Sequence, residues 1–127
     1  MSTKQEEWVY KTLSEMNDSE KIGQLFVVLG PVYRDAELKT LISEHHIGGV
    51  LYRPMPAAEL KAIWKQLDAC AKIPLLKAAN LEEGGYGANS EGTYFGSQMQ
   101  VAATGDLKQT ERFAKVCAVE GRAAGCN

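Results

Sequence analysis

Three short apolar runs, at residues 24–29 (QLFVVL), 47–52 (IGGVLY) and 75–79 (LLKAA), alternate with two segments of helical periodicity, and this alternation constrains the fold more than any other feature. Between the first two runs, Leu38, Leu41, Ile42 and His45 fall at i, i+3, i+4 and i+7, the stripe of a helix lying on a sheet. That helix is expected over residues 35–46, with Asp35 as its capping candidate. Between the second and third runs, Leu60, Ile63, Trp64, Leu67 and Ala71 repeat the stripe over residues 57–72, and Pro56 suits the first turn of a helix. Strands that alternate with helices pair in parallel through right-handed crossovers. The fold class is therefore α/β, built from parallel β/α repeats. The first run is continuous rather than alternating, which predicts a strand buried on both faces.

The flanking segments extend this plan. Val9, Leu13 and Met16 share one face of an amphipathic helix over residues 6–16. Asp18 or Ser19 can cap a second short helix through Glu20, Lys21 and Ile22, with Gly23 closing it. Residues 98–104 are small and apolar and fit a short helix or an extended segment equally well. Asp106 caps a long helix through Ala124, with Phe113, Cys117, Glu120 and Ala124 roughly on one face. Gly125 is a good C-cap, and Cys126 and Asn127 look like the start of another strand. A (β/α)8 barrel needs about 250 residues. The chain is thus expected to be the first three to four units of a TIM-barrel-like domain, an incomplete barrel in which residues 1–127 form one incomplete domain. Its outer strand edges and apolar faces call for cover, from the remainder of the barrel or from a homo-oligomeric partner.

Composition narrows the partners. Lys and Arg total 14 against 16 Asp and Glu, for a net charge of -2, with no basic run to follow a phosphate backbone, so nucleic acid is not expected. The first ten residues, MSTKQEEWVY, lack the pattern of a signal peptide, and no apolar run approaches the about 20 residues of a membrane span. A cytoplasmic location and no membrane partner are the expectations. Cys70, Cys117 and Cys126 share no CxxC spacing and read as reduced thiols packed like small hydrophobes. His45 and His46 have no acidic or cysteine partner at ligand spacing, so no metal and no cofactor is expected.

The chemistry concentrates at residues 74–96, PLLKAANLEEGGYGANSEGTYFG, where an apolar run ends in an amide and two carboxylates and passes into a glycine-rich loop. In α/β proteins ligands are held at the C-terminal ends of strands, because side chains there converge on a crevice. Glu82 and Glu83 are adjacent, and neighbours in an extended segment point to opposite sides, so they are not expected to flank one bond as a catalytic pair. Glu83 is read as a brace for the following turn. Gly84, Gly85 and Gly87 can cradle a phosphate, but Gly85-Tyr86-Gly87-Ala88-Asn89-Ser90 lacks the third glycine of the dinucleotide fingerprint and does not open into a helix. Tyr86, Tyr94 and Phe95 can anchor the loop or stack on a flat ligand face. Lys77, inside the third run, either points inward toward a carboxylate or snorkels outward between helices.

Four pieces, EKIGQLFVVLG (20–30), HIGGVLYR (46–53), PLLKAANLEEGG (74–85) and AATGDLKQTERFAKVCAVEGRAAGCN (102–127), resemble in order and spacing the N-terminal (β/α)8 domain of glycoside hydrolase family 3. That family includes β-glucosidases and β-N-acetylhexosaminidases. The resemblance covers nearly the whole chain from Ser19 and implies the N-terminal portion of a retaining hydrolase of β-linked glucosides or N-acetylhexosaminides. The family's third strand commonly ends in Asp-x-Glu-Gly-Gly, whose Asp bonds sugar hydroxyls. Here the strict count places Leu81 at that position, and one extra residue in the turn places Asn80 there. Asn80, with a carbonyl acceptor and two amide donors, is preferred, at the loss of a charge.

The resemblance thus implies a carbohydrate partner and substrate-binding roles for Asn80 and Glu82. Arg53, one residue past the second run on the same rim, is added as a hydroxyl clamp. It implies no catalytic residue within these 127 positions, the nucleophile lying later in the family's barrel, so that the chain alone should not turn over substrate. The rival reading is a small α/β binding module that holds a phosphorylated or nucleotide ligand in the glycine-rich loop.

Overall fold

The computed structural model describes residues 3–127, so the first two residues of the polar N-terminal stretch lie outside the described part. Its elements are α1 (Thr3–Glu15), α2 (Asp18–Gly23), β1 (Val27–Leu29), α3 (Asp35–Ser43), β2 (Gly49–Leu51), α4 (Ala57–Asp68), β3 (Leu76–Ala78), α5 (Gln98–Ala103) and α6 (Leu107–Ala123). The strands form one parallel sheet in the order β1-β2-β3, as the alternation of runs and stripes demands. Residues that pair across all three strands are Val27, Gly49 and Leu76, then Val28, Val50 and Lys77, then Leu29, Leu51 and Ala78.

The strands are shorter than the apolar runs because turns claim the ends of those runs. Leu25 and Phe26 donate their amides back to Ile22 and Gly23, unwinding α2 before β1 begins. After α3, His46 adopts a left-handed backbone with φ 56°, and Gln24 Nε2 donates to its carbonyl at 2.7 Å. Two expected caps shift by a residue. Asn17, not Asp18 or Ser19, caps α2: its Oδ1 accepts from Glu20 N, and the Glu20 carboxylate accepts from Asn17 N. Asp35 is already helical, and the Glu37 carboxylate accepts from Arg34 N before it. The ambiguous segment 98–104 resolves as α5, closed by a capping box between Ser97 and Gln100. Asp106 caps α6 as its position suggests, its Oδ1 accepting from Lys108 N at 2.9 Å.

Alternation along each strand sends the middle residues toward the helices. Val50 is fully buried there among Leu38 and Ile42 of α3 and Leu60, Trp64 and Leu67 of α4. Lys77 points the same way, its Nζ 2.6 Å from Asp68 Oδ2 and 5.7 Å from the centroid of the Trp64 ring, which selects the outward of its two readings. The opposite face carries Val27 and Leu76 more than half exposed. The expectation that the first run is buried on both faces is therefore corrected: only one face of this sheet is packed by the described residues. Along α1 the Val9 and Leu13 stripe reaches no core position, and Met16 is buried only after the helix has ended.

The C-terminal residues close over β3. Trp64 Nε1 donates to the Ala124 carbonyl at 3.0 Å, and Asn127 pairs with β3 through its backbone N–H to Lys77 O and its side chain to Lys77 N and Leu75 O. Cys126 and Asn127 thus lie along the strand edge without forming a strand of their own. All three cysteines are free and partly buried, and burial pushes the thiols of Cys117 and Cys126 up. No described helix is long and apolar enough to cross a membrane.

At the N-terminal end of the sheet, Lys72 Nζ sits 2.7 Å from Glu20 Oε1, tying α2 to the α4–β3 connection across 52 residues of chain. The bond from Lys72, followed by that from Asn17 N, holds the Glu20 carboxyl below its ordinary value of 4.5. A depressed folded-state pKa contributes stability above the ordinary value, and that stability is lost as pH falls through the folded one. The wild-type chain should therefore lose stability more steeply than Glu20→Gln between about pH 5 and 3, measured by urea unfolding at each pH. Parallel losses in the two proteins would contradict this role for the pair.

Candidate functional site

The register of β2 and β3 positions the site. Leu51 pairs with Ala78, and Tyr52 N extends the ladder to Ala78 O at 3.1 Å. Two residues further along each strand lie Arg53 and Asn80, which brings them to one rim at the C-terminal edge of the sheet. They line a cleft of about 210 Å³ together with Glu82, Glu83 and Tyr86, with Leu51, Tyr52, Pro54 and Gly87 completing its wall. All three sequence-selected residues, Arg53, Asn80 and Glu82, thus meet at one place. Their side chains hydrogen-bond to no other described residue.

Leu81 is excluded from the cleft by packing. It joins the hydrophobic cluster and lies so close to Gly121 of α6 that a Cβ there would sit 2.8 Å from Leu81 Cδ1. Asn80 is the residue left at the rim. Two expectations about the glutamates change. Residues 82 and 83 form a turn rather than an extended segment, so both face the same cleft instead of opposite sides. Nor does the Glu83 side chain brace the turn; only its carbonyl does, accepting from Phe95 N at 2.7 Å.

The brace comes from α6. Glu120 accepts from Thr93 N at 2.7 Å and from Thr93 Oγ1 at 2.6 Å, and Gly85 rests against the Glu120 side chain where any Cβ would collide. Sequence reading placed Glu120 on the inner stripe of α6 but gave it no partner, because Thr93 is 27 residues away. The other foot of the loop is held by Ser90 N to Met55 O and by Glu91, which accepts from Ala57 N at the start of α4. Phe95 anchors edge-on to Phe113 of α6, with ring centroids 5.6 Å apart. Tyr86 is edge-on to Tyr94 and forms part of the cleft wall. Burial, with a smaller contribution from Asp35, pushes the Tyr52 phenol up, so this wall residue stays neutral.

The glycine-rich turn makes no phosphate cradle. The amides of Gly84, Tyr86, Gly87, Ala88 and Asn89 all donate to carbonyls of the loop or of Leu81, leaving no run of free N–H groups. Gly87 is required for a different reason: a Cβ there would run into the Asn80 carbonyl oxygen. Among the described residues no group of three or more His, Cys, Asp and Glu side chains could hold a metal ion.

Comparison with known proteins agrees with this architecture. A family model described as the glycosyl hydrolase family 3 N terminal domain matches residues 18–127. Over 120 residues the chain is 42% identical to a beta-N-acetylglucosaminidase/beta-glucosidase of Cellulomonas fimi, taking in 94% of this chain and 21% of that protein. A solved structure described as beta-glucoside phosphorylase BglX bound to 2FGlc superposes with a TM-score of 0.84 at 38% identity, over 100% of this chain and 23% of the other. A second BglX structure gives a TM-score of 0.81 at 39% identity, with 100% and 22% covered. The chain spans about a fifth of the length of the relatives it matches.

Close approach of Gly87 to Asn80 makes the turn sensitive to a single methyl group. Gly87→Ala should lower stability by about 1–3 kcal/mol, the usual size of an overpacking penalty, read from the urea midpoint. An unchanged midpoint would mean that the loop does not press on the end of β3.

Proposed function

Because the chain belongs to glycosyl hydrolase family 3 through its N-terminal domain, we propose that its cleft holds a sugar ring of a β-linked glucoside or N-acetylhexosaminide. Asn80 offers a carbonyl acceptor and two amide donors, Glu82 a carboxylate acceptor, and Arg53 a fork of donors, a set that matches the alternating donors and acceptors of ring hydroxyls. The observation that carries the reading is the convergence of these three side chains, none bonded within the described protein, on one rim of a parallel sheet. Groups left without internal partners are ready to exchange water for ligand hydroxyls. At about 210 Å³ the cleft is smaller than the roughly 300–1,000 Å³ of drug-sized sites, a scale suited to a single ring. Tyr86 supplies a flat apolar surface beside it.

Retaining hydrolysis needs two carboxyl groups about 5 to 5.5 Å apart on opposite sides of the scissile bond. Glu82 and Glu83 stand on one wall. That placement argues against these two as the catalytic pair, and the family resemblance, whose nucleophile lies later in the barrel, assigns the nucleophile and the acid/base to other parts of the enzyme and this chain to binding. Its bare sheet face, with Val27 and Leu76, is assigned to contact with further strands of a barrel, or with a second copy where the chain stands alone.

Titration of the chain with glucose and N-acetylglucosamine should give weak saturable binding. Asn80→Ala and Arg53→Ala should each weaken it about five- to tenfold, the size of one lost hydrogen bond of roughly 1–1.4 kcal/mol. ATP should leave the melting temperature unchanged, and p-nitrophenyl β-glucoside should release no nitrophenol. A nucleotide-dependent rise in melting temperature without sugar binding would favour the phosphate-binding module instead. Nitrophenol release would place a nucleophile within these residues.

A further inference from the structure

Glu120 stands where a negative charge is locally unfavourable. It lies in the last turn of α6, where the helix dipole favours cations and disfavours carboxylates. A residue that breaks a local rule needs a compensating partner. That partner is Thr93, which donates both its backbone N–H and its hydroxyl to the two carboxylate oxygens, at 2.7 and 2.6 Å. Thr93 in turn accepts from Tyr86 N at 3.2 Å, and two residues on Phe95 N donates to Glu83 O at 2.7 Å. The returning limb of the loop, Thr93 to Phe95, therefore holds two of the cleft-lining residues, Tyr86 and Glu83, by their backbones, and Glu120 pins that limb to α6.

We propose that Glu120 is a positioning residue for the cleft, setting through Thr93 the placement of Tyr86 and Glu83 and hence the affinity for the ring, without touching the ligand. The proposal rests on the sugar-cleft reading above. The bond pair is charge-assisted and two-pronged, so it fixes orientation as well as distance. Gly85, lacking a Cβ, lets the carboxylate lie flat against the loop; this explains why glycine stands there without invoking a phosphate.

The test combines amide hydrogen exchange with sugar titration on the full 127-residue chain. Glu120→Ala should accelerate exchange at Tyr86 and Phe95 about tenfold or more, and weaken glucose or N-acetylglucosamine binding roughly fivefold. Glu120→Gln, which keeps an acceptor for Thr93 N and a group able to pair with its hydroxyl, should stay within about twofold of wild type. Thr93→Val, which deletes only the hydroxyl arm, should shift both readouts in the same direction by less, and it decides the matter if Glu120→Ala does not fold. Lys72→Met, at the opposite end of the sheet, should lower stability while leaving both readouts unchanged, separating positioning from general destabilisation. Wild-type binding that persists in Glu120→Ala, with Tyr86 still protected, would overturn the proposal. Should wild type bind neither sugar, the cleft reading falls, and exchange alone decides whether Glu120 positions the loop.

Discussion

Parallel pairing in a fixed register is the constraint on which the rest of the structure depends. Parallel strands end at the same edge of their sheet, so pairing Leu51 with Ala78 obliges Arg53 and Asn80, two residues on, to arrive at one rim. Antiparallel pairing of the same runs would send them to opposite ends. The crossover helix α4 enforces the parallel arrangement by burying Leu60, Trp64 and Leu67 against the back of the sheet. The cleft is a consequence of that packing together with a loop that folds back over the ends of β2 and β3.

Long-range contacts hold the fold at both ends of the sheet and behind it. They include Glu20 with Lys72 at the N-terminal end, Trp64 with the Ala124 carbonyl behind the sheet, and Glu120 with Thr93 and Glu91 with Ala57 N at the rim. At the C-terminal rim most of the glycine-rich turn's amides are paired, while the side chains of Arg53, Asn80 and Glu82 make no hydrogen bond to another described residue. In α/β proteins generally, ligands are held at the C-terminal ends of the strands. The second face of the sheet, with Val27 and Leu76, is apolar and uncovered among the described residues, a surface suited to further strands.

Much of this was legible in the sequence, and the parts that were not share a physical reason. The helical stripes and the β/α alternation follow from local periodicity, and the Asp106 cap from residue type at a helix start; residue types at the end of the third run also picked out the rim where Arg53, Asn80 and Glu82 meet. Strand lengths were overestimated because turn hydrogen bonds at Leu25 and Phe26 compete with the ladder, and composition cannot show which wins. The first run was read as doubly buried because its continuous hydrophobicity is the same whether or not a neighbour covers the second face. Glu83 was assigned the bracing role that belongs to Glu120, since the true partners are 27 residues apart and only the tertiary fold brings them together. A carboxylate in the last turn of a helix was the available clue. The pairing of Glu20 with Lys72 carried no comparable local signal.

The central claim is that Arg53 and Asn80 act on one ligand because the register places them side by side. NMR titration of the chain with glucose, following the Asn80 side-chain amide and the Arg53 Nε–H, tests it most directly. The account predicts that both signals shift together and saturate at the same concentration. Shifts confined to the glycine-loop backbone, with Asn80 and Arg53 unmoved, would contradict it.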